Sequence, residues 1–243
     1  MADGWAKLEL YDDRSDSFCM RRKVIPELLD EDLGTAAEIS ASLEDLRLIN
    51  ERFGGTRTTV ELLRRVAAHC GRRQLSLLEV AAGAGDMIQA ARRQLATEGI
   101  TATPTLLDRM ESHLRGSGVA SVCADALQLP FRDEAFDVVS CSLFAHHLEP
   151  AEVRRFVVEG LRACRRAVLI NDLIRSWVHL WLVYAGVPSF HSRLTRHDAP
   201  ASVRRAYTVK EMQRLLQDIP GTQVEISTHH LYRMGVLVWK GSN

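Results

Sequence analysis

Residues 75–87 read LSLLEVAAGAGDM: a mostly apolar run, one acid at Glu79, then small residues up to Asp86, where a helical pattern opens. A strand, a tight turn and a helix in that order are the first unit of a wound α/β sheet. The pattern continues outward. LLEVA, a helix over Asp86 to Thr97, then TPTLLD, VASVCA and FDVVSCS as strands, a helix over Ala151 to Ala163, and RAVLIND alternate in a way that predicts parallel strands joined by crossover helices. Thr208 with Glu211 forms a capping box that opens a helix over Val209 to Gln217, and QVEISTHH and RMGVLVWK close the chain as two strands. Upstream, Thr35 with Glu38 caps a helix reaching Phe53, Gly54-Gly55 breaks it, and Thr58 to His69 resumes an i, i+3, i+4 apolar pattern.

In a doubly wound sheet the ligand lies beyond the carboxyl ends of the strands, and glycines in the first turn let the backbone approach it. Gly83 and Gly85 supply that approach. The dinucleotide fingerprint needs a small residue where Ile88 stands, and no Gly-Lys-Ser/Thr follows, so nicotinamide, flavin and Walker-type nucleotide binding are disfavoured. Asp86 at the helix start repels a pyrophosphate. Glu79, at the end of an apolar strand, is costly to bury unless a cation or several donors meet it, and an ammonium group answers that need.

Glu79-Val80-Ala81-Ala82-Gly83-Ala84-Gly85 resembles the glycine-rich first motif of class I S-adenosylmethionine-dependent methyltransferases, with Ala81 in place of the first glycine. Leu106-Leu107-Asp108 resembles the end of their second strand, whose acid binds the ribose hydroxyls. Asp108 stands 23 positions after Gly85, a spacing suited to a ribose acid. Ala124-Asp125-Ala126 resembles the segment that meets the adenine amino group. Leu129-Pro130-Phe131 with Phe136-Asp137-Val138-Val139, followed by His146-His147-Leu148, is similar to the small-molecule branch that includes quinone-biosynthesis methyltransferases. The motifs cover residues 75–173. The resemblance implies a seven-stranded Rossmann-like sheet with its last strand antiparallel, S-adenosylmethionine as cofactor and S-adenosylhomocysteine as product. It implies cofactor contacts from Glu79, Ala81, Gly83, Gly85, Asp108, Arg109, Asp125, Ala126 and Ser142. Asp137 is read as structural.

For the acceptor, in-line methyl transfer needs a positioned nucleophile and, for a hydroxyl, a base titrating near working pH. His147, then His146, are the candidate bases. Asn171 and Asp172 end the fifth strand on the ligand side, as acceptor contacts or a helix cap. Trp177, Trp181 and Tyr184 form a stripe that serves as core or as an aromatic substrate wall. The segment HSRLTRHDAPASVRR (residues 191–205) reads as a solvated loop or an anion-binding one. The domain layout expected is a helical lid over residues 1–70 and a methyltransferase domain over residues 71–243, with a helical insert near 173–207.

Composition narrows the partners. Lys plus Arg and Asp plus Glu number 31 each, so no broad attraction to nucleic acid follows. The five scattered cysteines show neither a disulfide framework nor zinc spacing, the first residues lack a secretory apolar region, and no clustered metal-ligand spacing appears. A cytoplasmic enzyme without a metal is expected, acting on a small hydrophobic acceptor, with O-methylation of a phenol or hydroxyquinone favoured. Trp177 to Phe190 is too short to span a bilayer. Apolar residues of the lid leave a homodimer contact open. The competing readings are a nucleic-acid or protein methyltransferase and a non-catalytic protein that kept the fold.

Overall fold

The computed structural model describes residues 20–29, 33–114 and 118–241, so the N-terminal stretch without a secretory pattern and Cys19 lie outside the described residues. Two helices come first. In α1 (Ala36–Arg52) the Thr35 hydroxyl accepts from Glu38 N while the Glu38 carboxylate accepts from Thr35 N, the reciprocal cap that its sequence announces. In α2 (Gly55–Cys70), Gly54 is the left-handed cap and Gly55 already belongs to the helix, so the break is the two residues Phe53 and Gly54.

Strands and helices then alternate: β1 (Gln74–Val80), α3 (Asp86–Thr97), β2 (Thr101–Asp108), the single turn α4 (Glu111–Leu114), β3 (Ser121–Cys123), β4 (Phe136–Ser142), α5 (Pro150–Ala163) and β5 (Cys164–Leu173). Next come α6 (Trp177–Gly186), α7 (Arg193–Arg205), α8 (Val209–Leu216), β6 (Thr222–His229) and β7 (Arg233–Lys240). The seven strands form one sheet in the order β3-β2-β1-β4-β5-β7-β6. β1 to β5 pair in parallel, and β7 runs antiparallel to both β5 and β6. The order reverses between β1 and β4, which opens a crevice at their carboxyl ends.

Each face of the sheet is covered by apolar helix faces. Leu62, Leu63 and Val66 of α2 and Ile88 and Leu95 of α3 pack on one side with Leu77, Leu106 and Leu169. Phe156 and Val157 of α5 and Met212 and Leu216 of α8 pack on the other with Val139, Val168 and Val236. α2 is therefore part of the sheet's own covering layer, and the core runs across the boundary expected at residue 70. Asp137, at the opposite end of the sheet from the crevice, accepts from Ser76 N and Oγ and ties β4 to β1.

The segment read as a solvated loop over residues 191–205 is mostly helix α7, with Pro200 inside it. Packing overrides propensity here: Leu194, Thr195, Asp198, Ala201 and Val203 are buried. The polar residues of this segment hold the N-terminal part of the chain. Asp198 accepts from the amides of Leu28 and Leu29 at 2.8 and 3.0 Å, Asp45 of α1 accepts from His191 N and Ser192 N, and Ser42 bonds Thr195. Arg175 adds a buried clamp, donating to Met20 O and Ala206 O. Residues 20–29 thus form a strap fixed across α7 toward the crevice.

Candidate active site

The turn after β1 is built by left-handed backbone at Ala81, Gly83 and Gly85, with φ of 52°, 53° and 75°. Glycine is needed twice, for different reasons. A Cβ on Gly85 would stand 2.6 Å from Leu106 Cδ1, whereas one on Gly83 would project into open space, the space of the crevice. Ala81 adopts the same conformation with a side chain, at some steric cost. The turn is tied down by Ala82 N to Leu107 O at 3.0 Å and by Gly83 N to the Asp108 carboxylate at 2.9 Å. Asp108 also receives Met110 N.

Glu79 lies buried at the end of β1, its carboxylate accepting from the Ser140 hydroxyl of the neighbouring strand. Burial pushes its pKa up to about 7, against the Ser140 and Ser142 hydroxyls, which favour the charged form. Asp125 sits in the turn after β3, where one carboxylate oxygen accepts from Leu127 N.

These residues face one cavity of about 910 Å³. Its floor is Glu79, Ala81, Gly83 and Gly85, one side is Asp108, Arg109, Asp125 and Ala126, and Ser142 with His147 closes the far end. The opposite wall comes from the N-terminal helices and strap through Leu29, Leu43, Leu46, Asn50 and Glu51. The volume suits a cofactor with a small acceptor beside it. An aminoacyl nucleoside with a positive centre fits the donor set: a carboxylate at the end of β1 for an ammonium, another at the end of β2 for a diol, and a Gly83 surface that a Cβ would obstruct.

The histidine pair lies in a 3-10 turn, Ala145–His147, that follows β4. His147 reaches the cavity and His146 does not; it is buried behind it. His146 Nδ1 is 2.6 Å from Asp172 Oδ1, while Asp172 Oδ2 accepts His146 N at 2.9 Å. Glu27 of the strap approaches from the other side, with Oε1 3.5 Å from His146 Nε2 and 3.9 Å from His147 Nε2. Burial opposes a charge on His146, but Asp172 and Glu27 outweigh it and hold the imidazole protonated, with a pKa of about 10.

Four residues expected at the acceptor stand elsewhere. Asn171 donates to Gly55 O and Thr59 Oγ1, locking β5 to α2, and Asp172 is spent on His146 and Leu173 N. β5 is a central strand covered on both faces, so its side chains meet helices before they meet ligand. Trp177 and Trp181 do not line the cavity; they lie on the outer face of α6, Trp181 73% exposed. The aromatic stripe is neither core nor pocket wall.

A methyltransferase-domain family model matches residues 78–170. Over 141 residues the chain is 31% identical to the phosphatidylethanolamine N-methyltransferase of Cereibacter sphaeroides, spanning 55% of this chain and 68% of that one. The chain is a class I S-adenosylmethionine-dependent methyltransferase. Its fold is similar to that of the plantazolicin methyltransferase BpumL in complex with S-adenosylhomocysteine, with a TM-score of 0.66 at 14% identity over 89% of this chain and 95% of that one. Magnesium protoporphyrin IX methyltransferase from Synechocystis PCC 6803, solved with bound S-adenosylmethionine, aligns with a TM-score of 0.50 at 13% identity over 79% and 82% of the two chains. S-adenosylmethionine is the cofactor. Residues that sequence reasoning passed over also stand here: Glu27, Leu29 and Phe144 border the cavity or the histidine pair. Glu27 and His146 are separated by 119 positions, and no spacing rule joins them.

Proposed function

We propose that the methyltransferase transfers a methyl group to a hydroxyl of a small, largely apolar acceptor, a phenol or hydroxyquinone being the favoured class. The observation that carries this reading is the lining of the cavity, where the imidazole of His147 shares the wall with the apolar side chains of Leu29, Leu43, Leu46, Phe144 and Leu148. S-adenosylmethionine, when bound, supplies the methyl as an electrophilic substituent of a sulfonium. Glu79 holds its ammonium, Asp108 its ribose, and Asp125 with Ala126 its adenine edge, with Gly83 allowing close approach of the backbone. His147 takes the acceptor's hydroxyl proton, and α1 with the strap keeps water from the reacting atoms. Positioning is the larger part of catalysis in this arrangement.

A second acceptor class has specific support. The relative from Cereibacter sphaeroides methylates an amine of a phospholipid by its name, and Trp177, Val178, Trp181, Leu182 and Tyr184 leave the outer face of α6 apolar. Tryptophan and tyrosine suit a bilayer interface. No helix among the described residues is long and apolar enough to cross a membrane. Among the described residues Cys70, Cys123, Cys141 and Cys164 are free thiols.

Incubation with labelled S-adenosylmethionine and either a panel of apolar phenols and hydroxyquinones or phosphatidylethanolamine vesicles separates the two classes. Label in a phenol ether, reduced about 10²-fold or more in His147→Ala with cofactor affinity unchanged, is the expected result. Label in the lipid amine alone would replace the hydroxyl reading with the second one.

A further inference from the structure

The strap brings one carboxylate against two imidazoles, one lining the cavity and one buried behind it. Glu27 Oε1, His146 Nε2 and His147 Nε2 all lie within 4.8 Å of one another, with Glu27 at 3.5 Å from the first nitrogen and 3.9 Å from the second. Ligands bound at about 2.0–2.2 Å to one ion stand roughly 3.0–3.5 Å apart, so the three atoms need only small side-chain rotations to share one. His147 is half-buried, and Glu27 and His146 are buried.

A second observation, independent of these distances, comes from the other side of His146. Asp172 engages Nδ1 at 2.6 Å and fixes the ring through the backbone amide as well, which turns Nε2 toward Glu27 and His147. A carboxylate on the far nitrogen is the partner that metal-binding histidines have in their outer shell. Glu27 is held with similar care: Asp198 of α7 anchors the next two amides of the strap. Two guanidiniums approach the same turn and donate to its backbone, Arg22 at His146 O and Leu148 O while also pairing with Glu149, and Arg205 at His147 O.

We propose that Glu27, His146 and His147 form a binding site for one divalent transition-metal ion of the zinc class. Two imidazoles and one carboxylate are a donor set for zinc, cobalt, iron or manganese, and three protein ligands leave coordination positions open. The ion binds unprotonated ring nitrogens, so its uptake competes with protons. Of the three ligands only His147 lines the cavity, and from that side an oxygen of the acceptor can complete the shell. That last clause rests on the hydroxyl reading of the acceptor, and with the ion in place His147 is a ligand and the hydroxyl proton leaves to solvent. The binding of the ion does not depend on that reading.

The test uses the full chain freed of metal by chelation and titrated with Zn²⁺ by calorimetry and with Co²⁺ by visible absorption. One equivalent of Co²⁺ with the absorption of a four- or five-coordinate ion is expected, weakened about tenfold or more in both Glu27→Gln and His147→Ala. Circular dichroism checks the folding of each variant. His147→Ala, which removes a half-buried ring, keeps the test open should Glu27→Gln not fold. Absence of saturable binding to folded wild type overturns the site, as does binding unchanged in the folded variants, which would show an adventitious ion only. S-adenosylhomocysteine titrated into the same samples is read separately. Ion binding without cofactor binding upholds the site and counts against the methyl-transfer reading; cofactor binding without ion binding does the reverse.

Discussion

Glu79 is a buried acid whose charge costs the empty protein stability and, in its proposed role, meets the ammonium of the ligand. Its folded pKa of about 7 lies above the ordinary value of 4.5, so the folded state binds its proton more tightly than the unfolded state does. The stability linked to that proton is fully present below 4.5 and is lost as pH rises through about 7. An ammonium in the cavity favours the charged form, and S-adenosylhomocysteine is expected to bind more tightly as pH rises through the same range. Calorimetric titrations across that range check this; in Glu79→Gln the dependence should flatten and the empty protein gain stability above the transition. At Ala81 the strain is steric. With φ at 52°, glycine in its place relieves a left-handed Cβ but loosens the unfolded chain, for a net gain of roughly 0.5–1 kcal/mol in denaturant unfolding. A loss of stability in Ala81→Gly would mean that the methyl group packs usefully.

Among the elements, α7 has the largest share of work that its sequence does not announce. Its arginines and histidines suggested a loop in solvent, yet its buried face anchors α1 and the strap through Asp198 and Thr195, and the segment just before it offers His191 and Ser192 to Asp45. Replacing Asp198 with Asn leaves a neutral acceptor where a carboxylate held two amides, and charge-assisted bonds of this kind are about twice as strong as neutral ones. The amides of Leu28 and Leu29 should then exchange hydrogen with solvent about tenfold faster or more, with the exchange of β1 and β4 unchanged; equal rates in both proteins would show that the strap is held elsewhere. The legible parts were the local ones. The run from Glu79 to Gly85, the capping boxes at Thr35 and Thr208, and the strand-helix alternation all lie within short windows where period and turn chemistry decide. Asn171, Asp172, Trp177 and Trp181 were placed by rank along the chain. Which side of β5 or α6 faces the cavity depends on helices packed from distant sequence, and that information is not local.

On the scale of the whole molecule, the two apolar layers and the cavity are coupled through ligand binding. S-adenosylhomocysteine at a hundred times its Kd adds about 2.7 kcal/mol to the folded state, a rise in Tm of roughly 5–11 °C for a chain of this size. Differential scanning calorimetry reads that shift directly, and in Asp108→Ala it should fall to about zero, since the variant loses both the proposed ribose acid and the anchor of Gly83 N. A full shift in the variant would remove Asp108 from the cofactor site.

The strap also sets an order of events at the ribosome. β1 to β4 and the floor of the cavity have been synthesised by residue 142, whereas the aspartate that docks Leu28 lies 170 positions after it in the chain. Contacts so far apart in sequence form late. Residues 20–29 can therefore settle only after Asp198 has been made, later than the strands that carry the floor of the cavity.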